Sequence, residues 1–235
     1  MSDVAPGRHR SKAKARPHPF ARDLVVIVIG ALVISALVRG FLVQAFFVPS
    51  GSMERTLLPS DRIVAAKIVT RISGVHRGEV LVFTDPGGWL GLTPARSGVA
   101  GAFTKGLQFI GILPADATGH LVKRVIGIAG DHVMCCDAKG HIVLNGLSLI
   151  EPYLSTGVRT DQIPFDITVP PDSMFVLGDN RPESADSRYH LGVNAGSVMT
   201  GDVVGRAVAI VWPLSRMSVL SIPKIFSHVP AAPAN

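Results

Sequence analysis

The sequence predicts a mainly β body, a coiled or barrel-like arrangement of antiparallel sheets, behind a single N-terminal transmembrane helix. Three observations predict it. One long apolar stretch, residues 24–38, follows a basic N-terminal segment. From residue 46 onward, short runs rich in Val and Ile alternate with clusters of Gly, Pro, Asp and Asn, the pattern of strands bounded by turns. No segment beyond the apolar stretch sustains a helical period.

Composition agrees with a membrane segment. Hydrophobic residues make up 47% of the 235-residue chain and charged ones only 17%, and the mean hydropathy is +0.38, greasier than an ordinary soluble domain. The net charge of +6 raises the question of nucleic acid. Before residue 24, however, Arg8, Arg10, Lys12, Lys14, Arg16 and Arg22 stand against only Asp3 and Asp23. Most of the excess therefore sits in that tail, and no nucleic-acid partner is expected. Cys135 and Cys136 are neighbours, which excludes a spaced zinc-ligand set and a multi-bridge framework. The ordinary reading is two packed thiols. A bridge between them is the alternative, at the cost of a strained ring.

Taken in order, residues 1–19 hold almost no large apolar side chain and form a mobile basic tail. Residues 20–44 form the anchor. Residues 24–38 alone are short for a hydrocarbon core of about 30 Å, but extension to about residue 42 suffices if Arg39 snorkels to the far interface. Basic residues on the N-terminal side put that end in the cytoplasm and the body outside, a single-pass protein of the cell membrane. A cleavable signal peptide is the rival, because Val43-Gln44-Ala45 has the small-x-small form of a cleavage site. Either way the body, 45–212, reaches the outer compartment. Its candidate strands are 62–69, 79–83, 121–128, 132–135, 141–144, 163–169, 174–177 and 203–212, with Asp137-Ala138-Lys139-Gly140 as a hairpin loop. Residues 86–119 are a Gly-rich insertion with scattered large apolar side chains, suited to packing on the body or touching lipid. Residues 213–235 are a tail too broken by Ser, Pro, Lys and His for a second span.

Familiar catalytic motifs are absent: no HExxH, no Walker loop, no GxGxxG and no GxSxG. Ser11-Lys12-Ala13-Lys14 fits SxxK but lies in the basic tail without companion motifs. Three segments remain. Val48-Pro49-Ser50-Gly51-Ser52-Met53-Glu54-Arg55-Thr56-Leu57 begins where the anchor ends and exposes hydroxyls on a tight turn. Leu121-Val122-Lys123-Arg124-Val125-Ile126-Gly127-Ile128-Ala129-Gly130-Asp131 puts a lysine inside a Val/Ile-rich strand. Gly178-Asp179-Asn180-Arg181-Pro182-Glu183-Ser184-Ala185-Asp186-Ser187-Arg188 is a polar turn after an apolar strand. In residues, order and position behind an anchor, the three together resemble the sequence boxes of bacterial type I signal peptidases, serine proteases of the Ser/Lys type. Arg77-Gly78-Glu79-Val80-Leu81-Val82-Phe83 resembles that family's intervening strand. The resemblance runs from about residue 46 to 212 and is weakest over 86–119.

By the resemblance, Ser52 is the nucleophile and Lys123 the general base. The chemistry is coherent, since a serine hydroxyl needs a positioned base and a lysine near its usual pKa of about 10.4 is charged and useless as one. Burial among Val122, Val125 and Ile126 disfavours the ammonium. Taken alone, Lys123 also reads as a sheet-edge lysine reaching water. The resemblance further makes Ser50 an oxyanion-hole hydroxyl beside the Ser52 N–H and Ser184 the serine that orients the lysine. Asp179, Asp186 and Arg188 shape the site, the last two as an ion pair. Phe46, Val48, Pro49 and Leu57 on one side, with His120, Leu121 and Val122 on the other, are the implied substrate walls. Shallow apolar pockets there would admit Ala and reject larger groups.

No metal or organic cofactor is implied, and none of the eight histidines falls in the motifs. The implied partners are signal-peptide-bearing preproteins and the lipid bilayer, and the implied state is a monomer. One departure is Arg55, where the family usually has Pro, which removes a restraint on φ from the nucleophile loop. Two other readings stay open. One is a non-catalytic anchored β-domain that binds export substrates. The other is a self-cleaving Ser/Lys protease of the SOS-repressor type, although an anchor stands where a DNA-binding domain would be.

Overall fold

The computed structural model describes residues 19–90 and 119–232, with the side chains of 19–21 and 37–41 outside the description. The expectations for the basic tail, for most of the 86–119 insertion and for the Arg39 side chain fall outside the described residues. Helix α1 (Pro19–Phe41) stands where the anchor is expected. Its apolar side chains from Leu24 to Ile34 are exposed. Among the described residues no helix is long and apolar enough to cross a membrane. The expected anchor also runs too far, because Val43 and Gln44 belong to strand β1 (Val43–Phe47).

Strand β1 pairs antiparallel with β2 (Arg62–Ala66). The run expected as strand to residue 69 turns at Lys67 into the short helix α2 (Lys67–Ser73). The reason lies in the ladder: β1 begins at Val43, opposite Ala66, and after the Lys67 N–H donates to Leu42 O later residues have no β1 partner and satisfy their backbone groups locally. Next come β3 (Val80–Thr84) and β4 (His120–Ile128). Strands β5 (His132–Cys135), β6 (Ile142–Leu144), β7 (Leu147–Ser148) and β8 (Phe165–Thr168) follow. The last are β9 (Ser173–Leu177), β10 (Val198–Met199), β11 (Val203–Trp212) and β12 (Ser218–Val219).

These strands make two sheets. The larger has the order β1-β2-β11-β3-β4-β9-β10 with β12 on β11, and the smaller β7-β6-β5-β8. Every pairing is antiparallel. Register shifts in β11 and β4 mark bulges, which bend strands and deepen twist. Among the described residues the large sheet does not close, since β1 and β10 stand at its two ends. The mainly β, antiparallel expectation is met, but the sheet is open rather than a closed barrel. The expected hairpin loop is present: Gly140 has φ 81, and Asp137 Oδ1 accepts from the Lys139 and His141 N–H groups. Cys135 and Cys136 are bridged to each other rather than packed as free thiols.

Strand β4 is the spine. It lies between β3 and β9 in the large sheet, and its inner residues are almost all buried. At its end the chain turns into the small sheet around Asp131. This fully buried carboxylate accepts from Arg77 at 2.7 and 2.5 Å, from the Ile128 N–H and from Asn145 Nδ2. Asp131→Ala strands the guanidinium and the amide donors together. Loss of a buried partner costs about 3 kcal/mol when, as here, the arginine is partly exposed. Urea unfolding should show that loss; a change within experimental error would mean the joint between the sheets does not rest on Asp131.

Candidate active site

The first of the three motifs emerges from β1. Phe46 and Val48 are buried, and beyond them Met53 and Leu57 sink into the same core with Ile63, Val80 and Val82. Between these anchors the chain coils tightly. The Glu54 N–H donates to Gly51 O, and the Thr56 and Leu57 N–H groups donate to Met53 O. Ser52 therefore sits at the rim of a turn whose next residue is held in the core. Arg55 has φ 80, a left-handed conformation that proline, fixed near −65°, cannot adopt. The departure at Arg55 is thus a local change of loop shape. Its guanidinium donates to the Leu154 carbonyl, which tethers the loop by other means.

The second motif is β4. Lys123 is only 2% exposed and stands opposite Leu81 in the β3–β4 register. Its Nζ lies 2.6 Å from Ser52 Oγ. Burial pulls the lysine pKa down to about 8, against the opposing pull of Asp186 and then Asp179, with Arg188 adding to the fall. Neither carboxylate pairs with it. Asp179 accepts from Arg124 Nε at 2.9 Å and Nη2 at 2.6 Å, and from the Thr56 hydroxyl. Asp186 accepts from Arg188 Nε at 2.8 Å and Nη2 at 3.0 Å, and from the Gly178 N–H. The two arginines neutralise the two acids, so the amine keeps its desolvation without gaining an ion pair.

The third motif brings these acids in and closes on the nucleophile loop. The Asn180 N–H donates to Ser52 O at 3.1 Å, and Asn180 Nδ2 donates to Gly51 O at 3.0 Å. Gly178 lies so close to the loop that an added Cβ would stand 2.4 Å from Ser52 O and 2.2 Å from Ser184 Oγ. Ser184 itself is buried, and its hydroxyl makes no hydrogen bond among the described residues. The expected bond from Ser184 to Lys123 is therefore not formed. Ser50 is exposed, with Oγ 3.4 Å from Ser52 Oγ.

An apolar cleft of about 100 Å³ opens beside Ser52. Of the expected wall residues, Phe46, Val48, Pro49, Leu121 and Val122 line it, together with His120. Leu57 does not: it is fully buried in the core beneath, where it holds the loop. Sequence reading missed Leu90, Met53 and Phe47 on the wall. It also missed Thr56, Arg124 and Asn180 in the polar framework. These three lay inside the quoted motifs, but nothing in the spacing said which polar residues would meet.

The family model described as signal peptidase, peptidase S26, matches residues 21–212. A signal peptidase I of Mycobacterium tuberculosis is 36% identical over 222 residues, covering 85% of this chain and 75% of the relative. A probable signal peptidase I of Mycobacterium leprae is 36% identical over 199 residues, covering 72% and 68%. A crystal structure of a signal peptidase I from Enterococcus faecalis matches at 27% identity over 57% of this chain and 97% of its own, with a TM-score of 0.37.

The close approach at Gly178 makes a sharp test of the geometry. In Gly178→Ala the methyl group has no room unless Ser52 O and Ser184 move. A displacement of this order at a reacting atom costs about a hundredfold in rate. Turnover should fall by that much while the thermal melt stays cooperative. Full activity in the alanine variant would show that the two loops do not depend on each other's position.

Proposed function

The chain belongs to the signal peptidase family, peptidase S26, and is a serine endopeptidase that cleaves signal peptides from preproteins; from that premise we propose that Ser52 is its nucleophile and Lys123 its general base. The observation that carries this assignment is the 2.6 Å contact between the Ser52 hydroxyl and a lysine amine that is almost wholly buried.

The reaction follows from that contact. Neutral Lys123 takes the Ser52 proton as Oγ attacks the scissile carbonyl carbon. The resulting oxyanion is received by the Ser52 N–H and the exposed Ser50 hydroxyl, which is free to rotate toward it. The lysine ammonium then gives its proton to the departing amine of the mature chain. A water then opens the acyl-enzyme, giving its proton to the now-neutral Lys123 amine, which passes it to Ser52 Oγ as the acid product leaves. In that cycle Asp179 and Asp186 keep the polar frame in place through their arginines, and the buried Ser184 hydroxyl, which has no hydrogen-bond partner among the described residues, is the group we assign to orienting the ammonium once it forms.

The cleft next to Ser52 fits the substrate side of the proposal. Its wall is apolar, and Phe46, Val48 and Leu121 are too well buried to give way to a bulky side chain. Cleavage after a small-x-small sequence follows, with the peptide added as an extended strand between β1 and the start of β4. We also propose α1 as the single anchor. Its twenty-three residues would rise about 34 Å along a helix, against a hydrocarbon core of about 30 Å, although its described residues alone do not make a span long and apolar enough to cross. The basic residues before it put the N-terminus in the cytoplasm and the site on the outer surface.

Cleavage of a preprotein in detergent by the wild type, Ser52→Ala and Lys123→Ala tests the pair. The wild type should cut after the small-x-small site, and each variant should lose at least about a thousandfold in rate while remaining folded. A Lys123→Ala enzyme that still cuts removes the lysine from the mechanism. The acid limb follows with its sign. The working form is the neutral amine, so the rate should rise about tenfold per pH unit below about 8 and level off above it. A rate flat from mildly acidic to alkaline pH contradicts Lys123 as base.

A further inference from the structure

One segment outside the three motifs reaches all of them. It leaves β7 and returns to β8, carrying Glu151, Tyr153, Leu154, Thr160 and Gln162. The Leu154 carbonyl accepts from Arg55 in the nucleophile loop. The buried Glu151 carboxylate accepts from Arg181 Nη1 at 2.9 Å and Nη2 at 2.5 Å, and Thr160 Oγ1 accepts from the same Nη1 at 2.7 Å. Gln162 Oε1 accepts from Arg188 Nη1 at 2.9 Å. Tyr153, buried, donates its hydroxyl to Glu151. Its ring lies beneath Arg124, whose guanidinium carbon is 4.0 Å from the ring centroid.

That last contact bears most directly on the chemistry. Arg124 follows Lys123 in β4, and its donors are committed to Asp179, Gly78 O and Thr56 Oγ1. These contacts define the guanidinium's edge but leave its face open, and the tyrosine ring fills that face. A desolvated cation over an aromatic face is held there by the ring quadrupole. We propose that Tyr153 is a positioning residue for the Ser52/Lys123 pair, its ring being the seat that keeps the Arg124 guanidinium on the Asp179 carboxylate.

The consequence is electrostatic and rests on the reading of Lys123 as base. Burial lowers the lysine's proton affinity, Asp186 and Asp179 raise it, and Arg188 lowers it again. Asp186 keeps Arg188 whatever Tyr153 does. Asp179 has only Arg124 as a cationic partner among the described ion pairs. If the ring is lost and the guanidinium shifts, the Asp179 charge is uncovered and favours the ammonium. The groups facing Tyr153 are Glu151, Arg181, Arg124 and Asp179, and its own phenol is held neutral by burial and by Glu151.

The test is the pH dependence of kcat/KM for the full chain in detergent, with wild type, Tyr153→Leu and Tyr153→Phe. Tyr153→Leu should carry its acid limb about half to one unit higher than wild type, with about three- to tenfold lower kcat/KM at pH 7. Tyr153→Phe keeps the ring, so its limb should stay where the wild type has it even if stability falls. In an Asp179→Asn background the leucine substitution should no longer move the limb. A folded Tyr153→Leu enzyme whose rate falls equally at every pH makes Tyr153 a packing residue and overturns the proposal. If the leucine variant does not fold, Tyr153→Met, similar in bulk and without a π face, takes its place with the same expected shift. A wild type without the acid limb overturns the base assignment itself, which separates that failure from this one.

Discussion

The structure is organised around keeping one amine out of water without giving it a counter-ion. A buried lysine ordinarily relieves its desolvation by pairing with a carboxylate, and a paired lysine stays protonated. Here two carboxylates lie near enough to Lys123 to raise its proton affinity, yet each is claimed by an arginine from the same framework. The position of β4 between β3 and β9 supplies the burial. The turn after β9 supplies the acids and one of the arginines, and β4 itself supplies the other. The amine is then free to face the Ser52 hydroxyl.

Holding that hydroxyl in place is a separate problem. The nucleophile loop has no regular secondary structure, so its position comes from three attachments of different kinds. Met53 and Leu57 fix it to the core by burial. Asn180 clasps its backbone from above, at a point where only the missing side chain of Gly178 leaves room. Arg55 ties its outer turn to the segment between β7 and β8 of the small sheet. The last attachment stands where the family usually has the stiffness of a proline, and it makes the small sheet part of the active-site scaffold.

Much of this was legible in the sequence, and unevenly. The strands at 132–135 and 203–212 lie where the Val/Ile runs put them, because burial and β propensity agree there. Strands β7, β10 and β12 are two residues each, too short for any periodicity, and β1 was hidden in the apolar run that precedes it. The choice between a coiled and a barrel-like sheet was not legible, because alternation along a strand says nothing about whether the first and last strands meet. Among the site residues, Ser52 and Lys123 were legible by motif, and the structure brings them together. Leu57 was placed on the wall of the cleft because an apolar residue near a nucleophile suits either side of the loop. Only the coil at 51–57 turns it inward. The seat formed by Glu151 and Tyr153 carried no signal, because it depends on which arginine face meets which ring across the fold.

The most direct test is to titrate the Lys123 amine itself, by the NMR shift of a lysine labelled at the side chain in the detergent-solubilised protein, with Lys123→Arg to assign the signal. The account predicts a midpoint near 8, well below that of the surface lysines, and a signal that moves when Ser52 is replaced by Ala. A Lys123 signal that titrates with the surface lysines near 10.4 would mean that the amine is charged in the working enzyme, and would contradict the account at its centre.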